Sequence, residues 1–448
     1  MRKIAFYTLG CKVNQADTAS MEEIFRKAGY EIVQFNQKAD VYLINTCVVT
    51  NNGQRRSRQI INRAVRNHPL SLTVVTGCYP QTAPEEVKAI EGVDVIIGNQ
   101  ERGRIVELVE LALDEKRTEI LDNVQKMTVD TKFEELGAGT ETDKTRAFLK
   151  IQEGCNQYCT YCIIPYARGP LRSRTLDSIK AEVTKLVAAG YKEVVLIGIH
   201  LGCYGKEQGG EVTLYDAVQA ALSVNGLKRL RLGSLESVEV DPRIVDLMAR
   251  DNRLCRHLHL PLQSGCDKIL KAMHRPYDTT RYGELLRNIK EQLPDIAITT
   301  DVIVGFPGET EEEFEDLMNF VQEMKFDRLG VFSYSQEDGT AAARMENQIE
   351  DELKEERKDI IMDIQKNIAA SLCEEEVGKV MEVLIEGKLP EERIFCGRTR
   401  RDAPDIDGLV FVSSEEELYS GDFVTVKIRE AGDYDLMGDV VYGYELGE

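Results

Sequence analysis

From the N-terminus to about residue 115, short apolar runs alternate with segments whose apolar positions recur every three or four residues. The runs KIAFYTL (3–9), DVYLINT (40–46), LTVVTG (72–77) and VDVIIG (93–98) are rich in β-branched residues and too short for helices. Apolar on both faces, they predict buried parallel strands. After the first run, Met21, Ile24, Phe25 and Ala28 fall at helical spacing; after the second, Ile61, Ala64 and Val65 do so until Pro69 ends the pattern; after the third, Ala83, Val87 and Ile90 repeat it. Residues 1–115 therefore predict an open α/β sheet domain. Residues 116–144 are charged, show little periodicity and read as a linker.

A second alternation fills 145–375. RAFLKIQ (146–152), EVVLIG (193–198), RLRLGS (229–234), HLHLPL (257–262), ITTDVIVG (298–305) and RLGVFSYS (328–335) each precede a helix-length segment. Six such βα units predict an open partial barrel, smaller than the closed eight-unit form. The acidic, helix-patterned stretch 346–377 is expected to close it. From 376 to 448 the pattern changes to five short strands, KVMEVLIEG (379–387), RIFCGRT (393–399), LVFVSS (409–414), FVTVKIRE (423–430) and LMGDVVY (436–442), with no helix between them. This predicts a small antiparallel β-barrel of a kind that often binds nucleic acid.

A length of 448 residues exceeds what one core supports, in line with several domains. No run of eighteen apolar residues occurs, so no membrane span is expected. MRKIAFYTLG is interrupted too soon for a secretory signal, and a cytoplasmic, reducing setting is expected. There, eleven cysteines read as metal ligands and free thiols rather than disulfides. The net charge of −21 argues against indiscriminate nucleic-acid binding, yet four local basic clusters stand out: RRSR (55–58), RGPLRSR (168–174), KRLR (228–231) and RTRR (398–401).

Cys155, Cys159 and Cys162, in EGCNQYCTYCIIP, follow the first barrel strand and belong to the loop at its carboxyl end, the rim where such barrels build active sites. A zinc site asks for a fourth Cys or His, and no His lies within thirty residues of the trio. A four-iron, four-sulfur cluster accepts three thiolates and leaves one iron open. Zinc completed from elsewhere, or three free cysteines, are the alternatives. Cys11, Cys47 and Cys78 are far apart in sequence, but each ends one predicted parallel strand: YTLGC, LINTC, VVTGC. Parallel strands about 4.8 Å apart end along one edge, so these thiols can converge on a second cluster.

Cys-x3-Cys-x2-Cys after a barrel strand resembles the signature of radical S-adenosylmethionine enzymes. EGCNQYCTYCIIPYARGPLRSR, together with GCKVNQAD (10–17), resembles the methylthiotransferases over essentially the whole chain. The resemblance implies an N-terminal domain with one four-iron cluster, a radical domain with another, and a C-terminal TRAM barrel. It implies that the open iron beside Cys155, Cys159 and Cys162 binds S-adenosylmethionine, which is cleaved reductively to a 5′-deoxyadenosyl radical. The cluster at Cys11, Cys47 and Cys78 would carry the sulfur. GCKVNQ and HLHLPLQSG (257–265) are most similar to the branch acting on tRNA threonylcarbamoyladenosine. Isopentenyladenosine in tRNA and an aspartate of a ribosomal protein are the sibling substrates, and a non-catalytic iron–sulfur or zinc RNA-binding protein is the rival class.

The same resemblance makes Tyr161, His200, Ser234, Glu236, Gln263 and Gly305 candidates for cofactor contacts, with no catalytic side chain beyond the clusters. DVIVGFPGET (301–310), which contains Gly305, reads equally as a strand, a turn and a helix cap at Glu309–Thr310. Cys203, Cys255, Cys266, Cys373 and Cys396 read as free or buried thiols. The implied partners are tRNA, an electron donor (a reductase or flavodoxin-like protein) and a sulfur source. From residue 376 onward eight Lys or Arg face eighteen Asp or Glu, so RNA capture there is expected to draw on shape, stacking and the patch Arg393, Arg398, Arg400 and Arg401. Trp is absent, leaving Tyr and Phe for stacking.

Overall fold

Three of the predicted N-terminal strands run side by side and stop at the same edge. In a computed structural model describing residues 1–48, 51–114, 119–140, 145–389 and 393–443, the first domain is a six-stranded parallel sheet. Its strands are β1 (Lys3–Thr8), β2 (Glu31–Val33), β3 (Val41–Thr46), β4 (Leu72–Gly77), β5 (Val95–Ile97) and β6 (Leu121–Asn123), in the order β2-β1-β3-β4-β5-β6. Met21 and Phe25 of helix Lys12–Lys27 cover one face. Ile60, Ile61 and Ala64 of helix Asn51–Asn67 cover the other.

β6 lies inside the stretch read as a linker, whose ends 116–118 and 141–144 lie outside the described residues, as do 444–448. The middle of that stretch is no loose tether. It adds a strand beside β5, buries Leu136 and Ala138, and places Phe133 under the cations of Lys150 and Arg174 at 5.6 and 5.2 Å. A three-residue strand and an irregular strap carry no period to read.

The central domain holds six parallel strands in two sheets of three: β7 (Arg146–Lys150), β10 (Glu193–Ile197) and β11 (Arg229–Leu232), then β12 (His257–His259), β13 (Ala297–Val304) and β14 (Arg328–Ser333). The bridge Leu230–Leu254 joins the two sets into one open curve. Two two-residue strands, β8 (Gln152–Glu153) and β9 (Arg172–Ser173), pair antiparallel just past the carboxyl end of β7, joined by the connection 154–171. Outward residues such as Leu149, Val194, Leu196 and Leu230 pack on the surrounding helices. The inner face takes a different partner: Val13 and Ala16 of helix Lys12–Lys27 pack on Val195 and Ile197, with Phe148 beside them. The first domain is thus docked against the partial barrel.

The C-terminal strands β15 (Val380–Lys388), β16 (Ile394–Arg398), β17 (Val410–Ser413), β18 (Phe423–Ala431) and β19 (Leu436–Val440) close into a barrel in the order β15-β16-β17-β19-β18. Four pairings are antiparallel, but the closing pair β17–β19 is parallel, which corrects the all-antiparallel expectation. The excursion through β18 returns the chain to β17 in the same direction.

This small barrel is bolted to the amino ends of the central strands by buried ion pairs. Glu193, first residue of β10, meets Arg231 at 3.1 Å and Arg398 at 3.0 Å; Arg398 also meets Glu386 at 2.9 Å. Arg229 reaches Glu382 at 3.0 Å, and Arg401 reaches Asp327 at 2.6 Å. The expected RNA patch is therefore corrected. Arg398 is fully buried, Arg401 is paired, Arg400 lies 3.7 Å from Glu382, and Arg393 alone of the four is exposed.

Burial alone would raise the carboxyl of Glu193, but Arg231, Arg398 and Arg229 outweigh it and hold it down to about 2. Its stabilising contribution is complete above its ordinary value of 4.5 and is lost as pH falls towards 2. Arg398→Ala is expected to cost about 3 kcal/mol in urea unfolding at pH 7, because it strips a buried carboxylate of one partner. Between pH 4.5 and 2 the wild type should lose stability more steeply than Glu193→Gln.

Candidate active site

Register brings the first cysteine trio together. Thr8 pairs with Asn45, and Thr46 with Gly77, so Gly10 and Cys47, and then Cys47 and Cys78, come level where the strands run out. Gly10 (φ +102°) lies against Cys47, where a Cβ would stand 2.9 Å from the Cys47 Cβ and 3.0 Å from its Sγ; no larger residue fits. The Asn14 amide donates to the Leu9 carbonyl at 2.7 Å and the Thr46 carbonyl at 3.0 Å, tying together the loops that carry Cys11 and Cys47. Cys11 caps helix Lys12–Lys27.

The second trio sits at the carboxyl rim of the central strands, in the connection 154–171 that joins β8 to β9. Gly154 (φ +79°) admits the loop, since a Cβ there would fall 1.9 Å from the Pro170 carbonyl oxygen. The two trios are neighbours: Ile163 and Ala167, just past Cys162, pack on Val48 and Cys78. Burial raises the thiol of Cys159 above the ordinary range and pushes Cys162 up to about 12, so occupancy by metal must displace protons there.

Neither donor set is drawn in around a single ion. Thiolates around one zinc stand about 3.8 Å apart. Among the described residues, the thiols of neither trio all lie within 4.8 Å of one another, nor does any triple of the second trio with His200. His200 does approach in space, contrary to its distance in sequence, but of the trio it touches only Cys155 (Nδ1 to Sγ, 3.3 Å).

Each trio receives a cationic donor. The Arg275 guanidinium donates to Cys159 Sγ at 3.3 Å and to the Tyr161 hydroxyl at 3.4 Å, and is paired with Glu236. Arg168 Nε donates to Cys78 Sγ at 3.3 Å. His200 joins Cys155 to Glu239 (Nε2 to carboxylate, 2.9 Å), and Glu239 also accepts from Cys203 and from Lys206, each at 2.8 Å. Burial disfavours the imidazolium, but the bonds to Cys155, Cys203 and Glu239 outweigh it and push His200 up to about 12.

Arg168 belongs to a buried ion cluster between the domains. It meets Asp17 at 3.0 Å and Glu153 at 2.6 Å; Lys150 meets Asp17 at 2.5 Å and Glu153 at 3.2 Å; Arg102 meets Asp17 at 2.5 Å. None of the five is more than 5 % exposed, so each charge depends on the others for its solvation. Burial would raise Asp17, yet Arg102, Lys150 and Arg168 hold it well below the usual carboxylate range. With Glu134 on Arg102 at 3.4 Å and Arg172 at 3.6 Å from Glu153, four cations face three carboxylates, which leaves positive charge facing Cys78.

Of the residues expected around the cofactor, Tyr161, His200 and Glu236 are brought to the second trio. Ser234 is exposed on the loop after β11. Gln263 adopts φ +69° and pairs through its backbone with β13. Gly305 fits the helix-cap alternative: its N–H donates to Glu309 at 2.8 Å, a Cβ would strike Lys354, and Thr310 and Glu313 form a capping box. Arg275, Arg168 and Glu239 escaped the sequence reading. Arg168 stands inside the quoted cysteine motif, which was a usable signal; Arg275 and Glu239 carried none.

Family comparisons agree with this three-part layout. Residues 3–98 match a family described as uncharacterized protein family UPF0004, 149–321 the radical SAM superfamily, and 377–441 the TRAM domain. The threonylcarbamoyladenosine tRNA methylthiotransferase MtaB of Bacillus subtilis is 42% identical over 96% of this chain and 95% of its own. The chain belongs to the radical SAM methylthiotransferases. This family uses S-adenosylmethionine and two four-iron, four-sulfur clusters. The ribosomal protein uS12 methylthiotransferase RimO of Desulfitobacterium hafniense is 38% identical over 98% of the chain and 99% of its own. Among solved structures, the radical S-adenosylmethionine methyltransferase TsrM of Kitasatospora setae shares the fold, with TM-score 0.54 and 15% identity over 74% of this chain and 73% of that one. No helix among the described residues is long and apolar enough to cross a membrane.

Hydrogen bonds and positive charge at cluster sulfurs raise reduction potential. In a redox titration followed by electron paramagnetic resonance, Arg168→Gln is expected to lower the midpoint of one cluster signal by tens of millivolts and leave the other in place. A shift of both, or of neither, would break the link between Arg168 and Cys78.

Proposed function

We propose that this methylthiotransferase acts on tRNA, placing a methylthio group on C2 of N6-threonylcarbamoyladenosine beside the anticodon. In this reading Cys155, Cys159 and Cys162 hold the cluster that engages S-adenosylmethionine, and Cys11, Cys47 and Cys78 hold the one that carries sulfur. The observation that carries the substrate is the 42% identity to the Bacillus subtilis tRNA enzyme across nearly the full length of both chains, against 37% and 38% for uS12 enzymes.

When bound, the clusters and S-adenosylmethionine supply one-electron chemistry strong enough for an aromatic C–H bond, which no side-chain base working near neutral pH can deprotonate. The chain's own residues hold and shield. Arg275, fixed by Glu236 and Tyr277, sets the Cys159 side of the site. His200, fixed by Glu239, sets the Cys155 side. The packing of Ile163 and Ala167 on Val48 and Cys78 closes water out between the trios. A cytoplasmic electron donor and a sulfur source complete the requirements of this chemistry.

Mass spectrometry of nucleosides from a strain lacking the gene tests the substrate. The methylthio form of threonylcarbamoyladenosine should vanish while the methylthio isopentenyl nucleoside persists. Unchanged nucleosides, with loss of the methylthio group from a ribosomal-protein aspartate, would transfer the activity to the sibling substrate.

A further inference from the structure

The four basic clusters of the sequence meet different fates. In RGPLRSR, Arg168, Arg172 and Arg174 are buried; in KRLR, Arg229 and Arg231 are buried; in RTRR, Arg398 is buried and Arg401 is paired. RRSR remains on the surface, within helix Asn51–Asn67. That helix carries Arg55, Arg56, Arg58, Arg63 and Arg66 and not one acidic residue, in a chain with 77 acidic residues.

Arg56, Gln59, Arg63 and Arg66 recur at spacings of three and four, so they share one face. All four are exposed, as is Arg55. Arg58 pairs with Glu86, but among the described residues no acidic group lies within 4.0 Å of Arg55, Arg56, Arg63 or Arg66. From Arg56 to Arg66 the stripe runs about 15 Å. Its inner end opens on the first trio, where Arg55, Arg56 and Gln59 line a cavity of ≈ 530 Å³ with Leu9, Gly10 and Cys47.

A second feature lies across that trio. Tyr158 and Tyr166 flank the radical-domain cysteines with 51% and 59% of their surfaces exposed, their rings 5.8 Å apart and nearly perpendicular. Tyr158 is held at φ +50°, its carbonyl facing the His274 ring at 3.3 Å. Tyr166 belongs to helix Ile164–Arg168, whose Ala167 packs on Val48 and Cys78.

We propose that the arginine stripe of helix Asn51–Asn67 and the Tyr158–Tyr166 pair form one RNA-docking surface, the stripe taking backbone phosphates and the tyrosines an unstacked base. This rests on the reading of tRNA as substrate. A net charge of −21 repels RNA at long range, so attraction has to come from a local concentration of unpaired guanidinium groups. Aromatic faces are what RNA-binding surfaces offer to splayed bases. Both features border the two cysteine trios, where a target base has to arrive. The docking charge thus sits on the first domain, and the arginines of the C-terminal barrel serve mainly to fasten it.

Fluorescence anisotropy with an anticodon stem-loop RNA, run over a range of salt concentrations on the holoenzyme, tests this. Arg56→Ala/Arg63→Ala/Arg66→Ala should weaken binding roughly 10- to 100-fold near 0.15 M salt and flatten the slope of log K against log salt by about 2. Tyr158→Ala/Tyr166→Ala should weaken binding roughly tenfold and leave the salt slope unchanged. Arg393→Ala, on the C-terminal barrel, should change little. Circular dichroism and iron content report whether each variant is folded.

Wild-type binding that survives the arginine variant intact would overturn this docking surface while leaving the tRNA reading standing. A wild type with no salt-dependent affinity for the RNA would overturn both. Poly-glutamate bound as tightly as RNA, with the tyrosine variant unaffected, would mark a surface for acidic protein and also overturn the proposal.

Discussion

Asp17 and Glu153 are the hinge of the whole arrangement, because two buried carboxylates from different domains share three buried cations. Asp17 rides on the first helix of the N-terminal domain, and Glu153 stands two residues before Cys155. Arg168 binds both and also donates to Cys78. Charges taken this far from water are tolerated only when their partners are fixed, so the cluster has one geometry or none. That geometry sets a cysteine from one domain against the loop that carries three from the other.

The same physics seals the opposite end of the central strands. Glu193, Arg231 and Arg398 repeat the pattern of a buried carboxylate gripped by guanidinium groups, here fastening the small C-terminal barrel to the strands' amino ends. The two ends differ in what they leave open. At the amino end the arginines are consumed by pairing; at the carboxyl end the rim stays free for chemistry, bordered by exposed tyrosines and by the arginine helix. In an acidic chain, this division lets attraction for a polyanion be local.

The elements were largely legible from periodicity, since strands buried on both faces and helices with one apolar stripe leave clear traces. So was the alignment of the strand ends that brings Gly10, Cys47 and Cys78 level, because parallel strands in register must end together. What stayed hidden was pairing at long range. Arg168 and Asp17 are 151 positions apart, and Arg398 and Glu193 are 205 apart. An arginine carries the same letter whether it is solvated or buried against a carboxylate, and RTRR therefore read as a patch for RNA. Leu121–Asn123 went unread for a different reason: three residues are too few to show a period. Gly305 had two compatible readings, and its contact with Lys354 is one that the letters alone could not show.

The most direct measurement of the central claim is the distance between the two reduced clusters by pulsed electron paramagnetic resonance, in the wild type and in Asp17→Asn protein of full iron content. The expected result is one narrow distance distribution in the wild type that broadens when Asp17 loses its charge. A broad wild-type distribution, or one that Asp17→Asn leaves untouched, would contradict the idea that the buried ions hold the two cysteine trios face to face.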